Sequence, residues 1–113
     1  PSISFSSESM LAIDEEKNTL PKQFALHDNY PNPFNPNTTI RFDLPKDIDV
    51  SIIIYNLLGQ KVKTIDKYQM NAGFHSMTWN GTNNYGAQVS AGMYFYQLRT
   101  SDFVKTKKMV LLK

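Results

Sequence analysis

Hydrophobic and polar residues alternate over short stretches from Phe24 onward, and turn residues interrupt the alternation about every ten positions. Residues 38–45 alternate cleanly, with three apolar side chains on one side of an extended chain: Ile40, Phe42 and Leu44. Residues 49–55 contain a β-branched run typical of a sheet interior, and Gly59 then marks a hairpin turn. This pattern predicts an all-β fold.

Five further segments complete the predicted set of about seven antiparallel strands. Residues 24–28 form a candidate first strand, and residues 60–68 follow the hairpin turn. In the later candidates one face carries His75, Met77 and Trp79, and another carries Tyr94, Tyr96 and Leu98. The last candidate covers residues 103–113. Strands of this number and length predict an immunoglobulin-like β-sandwich of two sheets.

Residues 1–23 differ from the rest, because they are serine-rich and then acidic, without a sustained period. They are interpreted as a linker or the tail of a preceding passenger domain, with a short helix possible at 10–17. The β-sandwich domain is assigned to residues 24–113. The chain begins at Pro1 without the pattern of a signal peptide, so we expect a segment of a longer protein.

Composition supports one globular domain, with 41% hydrophobic and 19% charged residues among 113. The longest apolar run, Ile52–Tyr55, is too short to cross a bilayer, so no transmembrane segment is expected. Residues 51–113 hold eight Lys/Arg against two Asp/Glu, yet these charges alternate with apolar residues along strands. That arrangement indicates a solvated sheet face and no nucleic-acid partner.

Candidate catalytic and metal-binding residues are few, so the chain is predicted not to be an enzyme and to need no cofactor. It has no cysteine, and His27 and His75 lie far apart in sequence. A calcium site is conceivable at Asp43, Asp47 and Asp49, although aspartate is also common in turns. The segment "NGTNNYG", residues 80–86, resembles a calcium loop but lacks a carboxylate, and is interpreted as a turn.

A carbohydrate-binding module is the alternative function, because aromatic side chains on a sandwich face can stack on sugar rings. Trp79 and Tyr94 are the candidate residues for that contact. A structural spacer in a surface protein is the other alternative.

Four motifs in a fixed order resemble the type A C-terminal sorting domain of the type IX secretion system of Bacteroidota. They are "LHDNYPNPFNPNTTIRFDLP", "VSIIIYNLLGQKVKTI", "NAGFHSMTWNGTNNYGAQVSAGMYFYQL" and "KTKKMVLLK". The resemblance runs from Leu26 to Lys113. In pattern it is also related to the immunoglobulin-like domain of the flagellar hook-capping protein.

The resemblance implies a set of structural motif residues and a terminal sorting signal. The structural set is Asn29, Tyr30, Pro31, Asn32, Pro33, Phe34, Tyr55, Leu58, Gly59, Gln60, Trp79, Asn80, Gly81, Gly86, Gly92, Tyr94 and Tyr96. The sorting signal is Lys107, Lys108, Met109, Val110, Leu111, Leu112 and Lys113.

The function that the resemblance implies is sorting without catalysis. Such a domain directs a covalently fused N-terminal passenger through the periplasm and across the outer membrane. Its partners would be the type IX translocon, shuttle components and a sortase-like cysteine protease that removes it. The passenger would then stay on the cell surface, linked to anionic lipopolysaccharide, or be released into the medium.

The proline- and asparagine-rich stretch "NYPNPFNPNTT", residues 29–39, is predicted to form a rigid start to the folded domain. Each proline fixes its own φ and restricts the residue before it. We expect Tyr30 and Phe34 to pack against the sandwich edge, with Phe34 buried and no metal bound. The asparagine side chains are expected to form hydrogen bonds with backbone groups that have no other partner.

Overall fold

The computed structural model describes residues 20–113, so the helix predicted at 10–17 and most of the predicted linker lie outside the described residues. Seven strands are present, and none of the described residues is helical. In chain order the strands are β1 (Ala25–Leu26), β2 (Thr38–Leu44), β3 (Ile48–Tyr55), β4 (Lys61–Met70), β5 (Gly73–Trp79), β6 (Gly92–Arg99) and β7 (Val104–Leu111). Accordingly, no helix in the described part is long and apolar enough to span a membrane.

The strands form two antiparallel sheets, one in the order β1-β2-β5 and the other in the order β4-β3-β6-β7. This confirms the predicted seven-stranded, immunoglobulin-like sandwich. The first strand is shorter than the predicted 24–28, because only Ala25 and Leu26 pair regularly with β2. Beyond them the chain stays beside β2, where His27 N–H donates to Arg41 O at 2.9 Å and Tyr30 bridges Thr39.

The core lies between the sheets and is built largely from alternate residues of β2, β3, β6 and β7, whereas β4 has no fully buried residue. In β2 the predicted apolar side is buried, and in β6 the buried residues are Tyr94, Tyr96 and Leu98. On β5 Trp79 is buried, while His75 and Met77, which lie nearer to the start of the strand at Gly73, are half-buried. Met109 and Leu111 supply the core residues of β7. The period of two in the sequence thus fixes which face each strand buries.

The two ends of the sandwich have different turn chemistry. One end, here called the asparagine end, consists of residues 29–37, 56–60, 80–91 and 112–113. These segments contain eight asparagines and no Asp or Glu. The other end, here called the aspartate end, consists of residues 20–24, 45–49, 69–72 and 100–103. There the described chain begins, and there Asp47, Asp49 and Asp102 lie.

Candidate functional site

The segment 29–37, here called the Pro-Asn segment, is hydrogen-bonded to the end of β7. Phe34 N–H donates to Val110 O at 2.9 Å, and Leu112 N–H donates to Phe34 O at 2.8 Å. Asn32 Oδ1 accepts the Val110 N–H at 3.0 Å. Phe34 and Leu111 form a parallel bridge as a result. The first and last motifs of the chain therefore make one structure, although 78 residues separate Asn32 from Val110.

Asn29 and Thr38 hold the base of the Pro-Asn segment. The Asn29 amide donates to Thr38 Oγ1 at 3.0 Å, and that hydroxyl donates to Pro31 O at 2.9 Å. Within residues 20–113 the buried Asn29 Oδ1 has no hydrogen-bond partner. Because the Asn29 side chain turns inward to reach Thr38, the next side chain, that of Tyr30, points the other way.

The predicted burial of Phe34 is confirmed, since only 2% of this residue is exposed. The predicted packing of Tyr30 is wrong, since 71% of it is exposed. Tyr30 instead bridges Thr39 through its backbone, with N···O distances of 3.0 and 2.8 Å. Pro31 and Pro33 are exposed, and the peptide bonds before Pro31, Pro33 and Pro36 are cis.

Three aromatic rings close the core beneath the Pro-Asn segment. The Trp79 ring lies 5.7 Å from that of Phe34 and 5.5 Å from that of Tyr94. Trp79 Nε1 donates to Thr82 O at 2.8 Å, and Tyr94 Oη donates to Ser90 O at 2.6 Å. Burial raises the pKa of Tyr94.

The aromatic residues named for sugar stacking are therefore not available for it. Trp79 is 1% exposed and Tyr94 6% exposed, so neither presents a ring face to solvent. Both serve the core, which corrects the expectation of a carbohydrate site at these residues.

Tyr96 joins the two sheets on the side where β1 and β7 lie. Its hydroxyl donates to His27 O at 2.7 Å. Burial, opposed by a backbone N–H of Asn29 and assisted by the charge of Asp28, raises the pKa of Tyr96 to about 12. The neutral, donating phenol is thus the form that fits the folded domain.

Two turns at the asparagine end share one five-residue pattern, Asn-x-x-Gly-x. Asn56 Oδ1 accepts N–H groups two and four residues on, at 2.9 and 3.0 Å, and Asn83 Oδ1 does the same at 2.9 and 3.0 Å. In each turn the glycine N–H donates to the asparagine carbonyl at 3.0 Å. Gly59 and Gly86 have φ of 80° and 82°, which explains why glycine occupies both positions.

Both glycines were recognisable from the sequence, whereas the roles of Asn56 and Asn83 were missed. The available signal was an asparagine three residues before each glycine, a spacing that suits a side chain bonding its own turn. These turns place apolar side chains outside the core: Leu57, Leu58 and Tyr85 are all exposed. The interpretation of residues 80–86 as a turn agrees with this geometry.

The other motif residues also lie at or near the asparagine end. Gln60 Oε1 accepts from the Asn56 amide at 2.8 Å, and Asn80 Oδ1 accepts from Thr82 Oγ1 at 2.6 Å. Gly81 is buried against Leu111 and Pro36, and Gly92 pairs with Leu111 at the start of β6. Tyr55, half-buried at the end of β3, lies on the outer face of its sheet with Phe95 as its partner in β6.

The predicted terminal signal divides into buried and accessible residues. Met109 and Leu111 belong to the core, and Val110 is half-buried. Lys107 Nζ lies 3.0 Å from Asp28 Oδ1, and Lys113 Nζ donates to Gln88 Oε1 at 3.3 Å. Lys108, Leu112 and Lys113 are the exposed members. A partner could reach these three side chains without opening the core.

The aspartates considered for calcium do not converge. Asp47 Oδ1 accepts the Ala72 N–H at 2.8 Å, and Asp49 Oδ1 accepts the Gln69 N–H at 2.7 Å. Asp43 is on the other sheet, 3.0 Å from His27 Nε2. Within residues 20–113, no three His, Asp or Glu side chains are grouped as metal ligands. The carboxylates of Asp47 and Asp49 thus have the turn role.

Solved structures with a similar fold include two from Porphyromonas gingivalis. Dimeric latent PorU matches 80% of this chain at 22% identity with a TM-score of 0.60. PorZ, an essential surface component of the type IX secretion system, matches 81% at 17% identity with a TM-score of 0.54. This chain corresponds to only 9% of the PorU chain and 12% of the PorZ chain.

FlgD is similar as well. The structure of FlgD from P. aeruginosa matches 70% of this chain and 67% of its own at 24% identity, with a TM-score of 0.53. No curated protein sequence matches the chain significantly. At these identities the solved structures support the fold alone. The model of the FlgD Ig-like domain family, however, matches residues 33–102, more than half of the sequence, and the chain therefore belongs to the FlgD Ig-like domain family.

Proposed function

We propose that this domain is a non-catalytic sorting signal of type IX secretion, which directs a passenger fused at its N-terminal side across the outer membrane. The observation that carries the proposal is the hydrogen-bonded contact between the Pro-Asn segment and the end of β7. It brings together the first and last motifs of the sorting-domain resemblance. Similarity to domains of PorU and PorZ supports the same system.

The positions of the two ends fit a sorting role. The chain comes in at the aspartate end, near Leu20, whereas Lys108, Leu112 and Lys113 lie on or beside the last strand toward the asparagine end. A passenger joined before Leu20 would leave the asparagine end accessible to a translocon or shuttle component. A sortase-like protease would then cut in the segment before β1.

The test is export of a reporter protein fused to the N-terminal side of the whole chain. We expect the reporter in the medium or on the surface of a type IX-competent bacterium, and in the periplasm of a translocon-deficient strain. Intact mass of the exported reporter would show removal of the domain. Equal export from both strains would refute the proposal.

Removing residues 107–113 is a poor test, because it also takes Met109 and Leu111 from the core. The structure suggests Lys108→Glu with Lys113→Glu, which change only exposed lysines. Lys67→Glu on β4, at the opposite edge of the same sheet, is the matched control. We expect periplasmic retention for the double variant alone, with unchanged thermal unfolding for both proteins.

A structural spacer is the second candidate, and membership of the FlgD Ig-like domain family favours it. A spacer would remain attached to the mature protein. Intact mass separates the two functions, because an exported passenger that keeps residues 24–113 supports the spacer.

A further inference from the structure

The outer edge of β7 is only half covered. β7 ends the four-stranded sheet, and the N–H and C=O of Val110 point to its open side, where Asn32 and Phe34 bond them. The β6–β7 register is continuous, so Lys108 and Thr106 direct their backbone groups to the same side. Within residues 20–113, neither has a backbone hydrogen bond there.

An open groove of about 740 Å³ runs beside the uncovered half of this edge. Its lining includes Tyr30, Asn32, Phe95, Thr106 and Lys108. Tyr30, which is 71% exposed, and Asn32 line it from the Pro-Asn segment, and Thr106 and Lys108 line it from β7. Such a groove accommodates an extended chain, whose backbone would complete the ladder that Phe34 already completes at Val110.

The charge beside the groove favours an acidic occupant. Asp28 at the groove is already paired with Lys107 at 3.0 Å, whereas the side chain of Lys108 is exposed. β7 contains no Asp or Glu. A second copy of the chain would bring the lysines of both β7 strands together, so like charge opposes self-pairing.

We propose that the open half of β7, at Thr106 and Lys108, is a docking site for an extended acidic peptide that adds to the sheet as a further strand. The backbone groups provide the affinity, and the lysines select carboxylate side chains over a second copy. The site is inferred from the edge itself and goes beyond the sorting role, since it would exist in a spacer as well.

The test is a titration of the isotope-labelled full chain with a short acetylated peptide in which glutamate alternates with valine. We expect the amide signals of Thr106 and Lys108 to shift and to become protected from hydrogen exchange. The same peptide with lysine in place of glutamate should leave them unchanged. Equal binding of both peptides, or shifts mapping elsewhere, would overturn the proposal.

Thr106→Pro is the decisive variant, because it removes an N–H that points to the groove and takes no part in the β6 ladder. We expect roughly tenfold weaker peptide binding, as for loss of one hydrogen bond. Thr106→Ala is the matched control, since it loses only the side-chain bond to Gln97 and keeps the N–H. Lys108→Glu should weaken binding and Lys67→Glu should not.

Sedimentation of the chain without peptide tests the remaining alternative, that a second copy of the chain covers the edge. We expect a monomer with fast-exchanging Thr106 and Lys108 amides. A dimer in which those amides are protected would assign the edge to a second copy and overturn the acidic-peptide proposal. Neither result depends on the reporter experiment, so failure of the sorting role and failure of this site are separable.

Discussion

The asparagine end and the aspartate end close the same sandwich with different chemistry. At the asparagine end, neutral amides of Asn29, Asn32, Asn56 and Asn83 bond backbone or side-chain groups, above a cluster of three aromatic rings. At the aspartate end, the carboxylates of Asp47 and Asp49 accept hydrogen bonds from backbone N–H groups. Among the turn segments of the two ends, carboxylate side chains are thus confined to the aspartate end.

The hydrogen bonding that holds a turn and the charge that the turn carries are therefore independent properties of its sequence. An amide oxygen and a carboxylate oxygen both accept N–H bonds, so either would hold these turns. Neutral amides leave the turns of the asparagine end without carboxylates, so that Asp28, just before Asn29, is the acidic residue paired with a lysine of β7. The stability contributed by the aspartate end is therefore expected to depend on pH and salt, whereas the stability contributed by the asparagine end should depend on packing.

The largest expected effect comes from removing the aromatic cluster. Trp79→Ala should lower the free energy of unfolding by about 3–5 kcal/mol, because it opens a cavity and leaves the Phe34 and Tyr94 rings without their partner. Urea denaturation measures this loss. At the aspartate end, Phe103→Ala should cost about 1–2 kcal/mol, since Phe103 is only half-buried against Phe24. Equal losses would contradict the contrast between the ends.

The next effect concerns the Asn-x-x-Gly-x turns. Asn83→Ala should cost about 1–2 kcal/mol, because the N–H groups of Tyr85 and Ala87 lose their shared acceptor. Asn83→Asp keeps that oxygen and should recover most of the loss in the same urea measurement. If Asp is as damaging as Ala, hydrogen bonding is not what Asn83 provides.

Tyr96, which bonds the two sheets together, should make the stability of the domain depend on alkaline pH. Its pKa is raised to about 12 from an ordinary value of 10.0, so the folded state holds the phenolic proton more tightly than the unfolded state. Stability from this group is complete below pH 10 and is lost as the pH rises toward 12. Tyr96→Phe should cost about 1 kcal/mol at neutral pH through its bond to His27 O.

Thermal unfolding between pH 9 and 12 compares the two proteins. The native protein should lose stability steadily over this interval, and Tyr96→Phe should lose less. Parallel curves would show that Tyr96 ionisation does not control the alkaline response.

The strand pattern of the fold was readable from sequence because it depends on local alternation. Ile40, Phe42 and Leu44 face the core as their spacing predicts, and Phe34 is buried as expected from its place among prolines. Trp79 and Tyr94 could not be assigned between core and surface by pattern alone. Their burial depends on Phe34 and on residues of the other sheet, which are distant in sequence.

The candidate site was less predictable, since it is made by contacts across the length of the chain. The motifs at 29–34 and 107–113 were each recognisable, but nothing in either indicates that Asn32 and Phe34 bond Val110 and Leu112. The open edge at Thr106 and Lys108 follows from that pairing. The exposure of Tyr30 was mispredicted for a related reason, because the inward turn of Asn29 toward Thr38 sets its direction.

The smallest expected effect is at the aspartate end, where Lys46 and Asp102 form an exposed ion pair. A hydrogen bond from Lys46 and its charge lower the pKa of Asp102 below its ordinary 3.8. A lowered pKa gives stability that is present above the unfolded value and is lost as the pH falls through the folded value. The melting temperature of Asp102→Asn should therefore be slightly below that of the native protein at neutral pH and equal to it in strong acid.

Because solvent and salt screen an exposed pair, raising the salt concentration should also remove the difference in melting temperature. A difference in melting temperature that persists in high salt would mean that the turn at residues 100–103 needs Asp102 for its geometry, as the asparagine end needs its amides. The two ends would then differ in the type of side chain that holds their turns, and not in their response to charge.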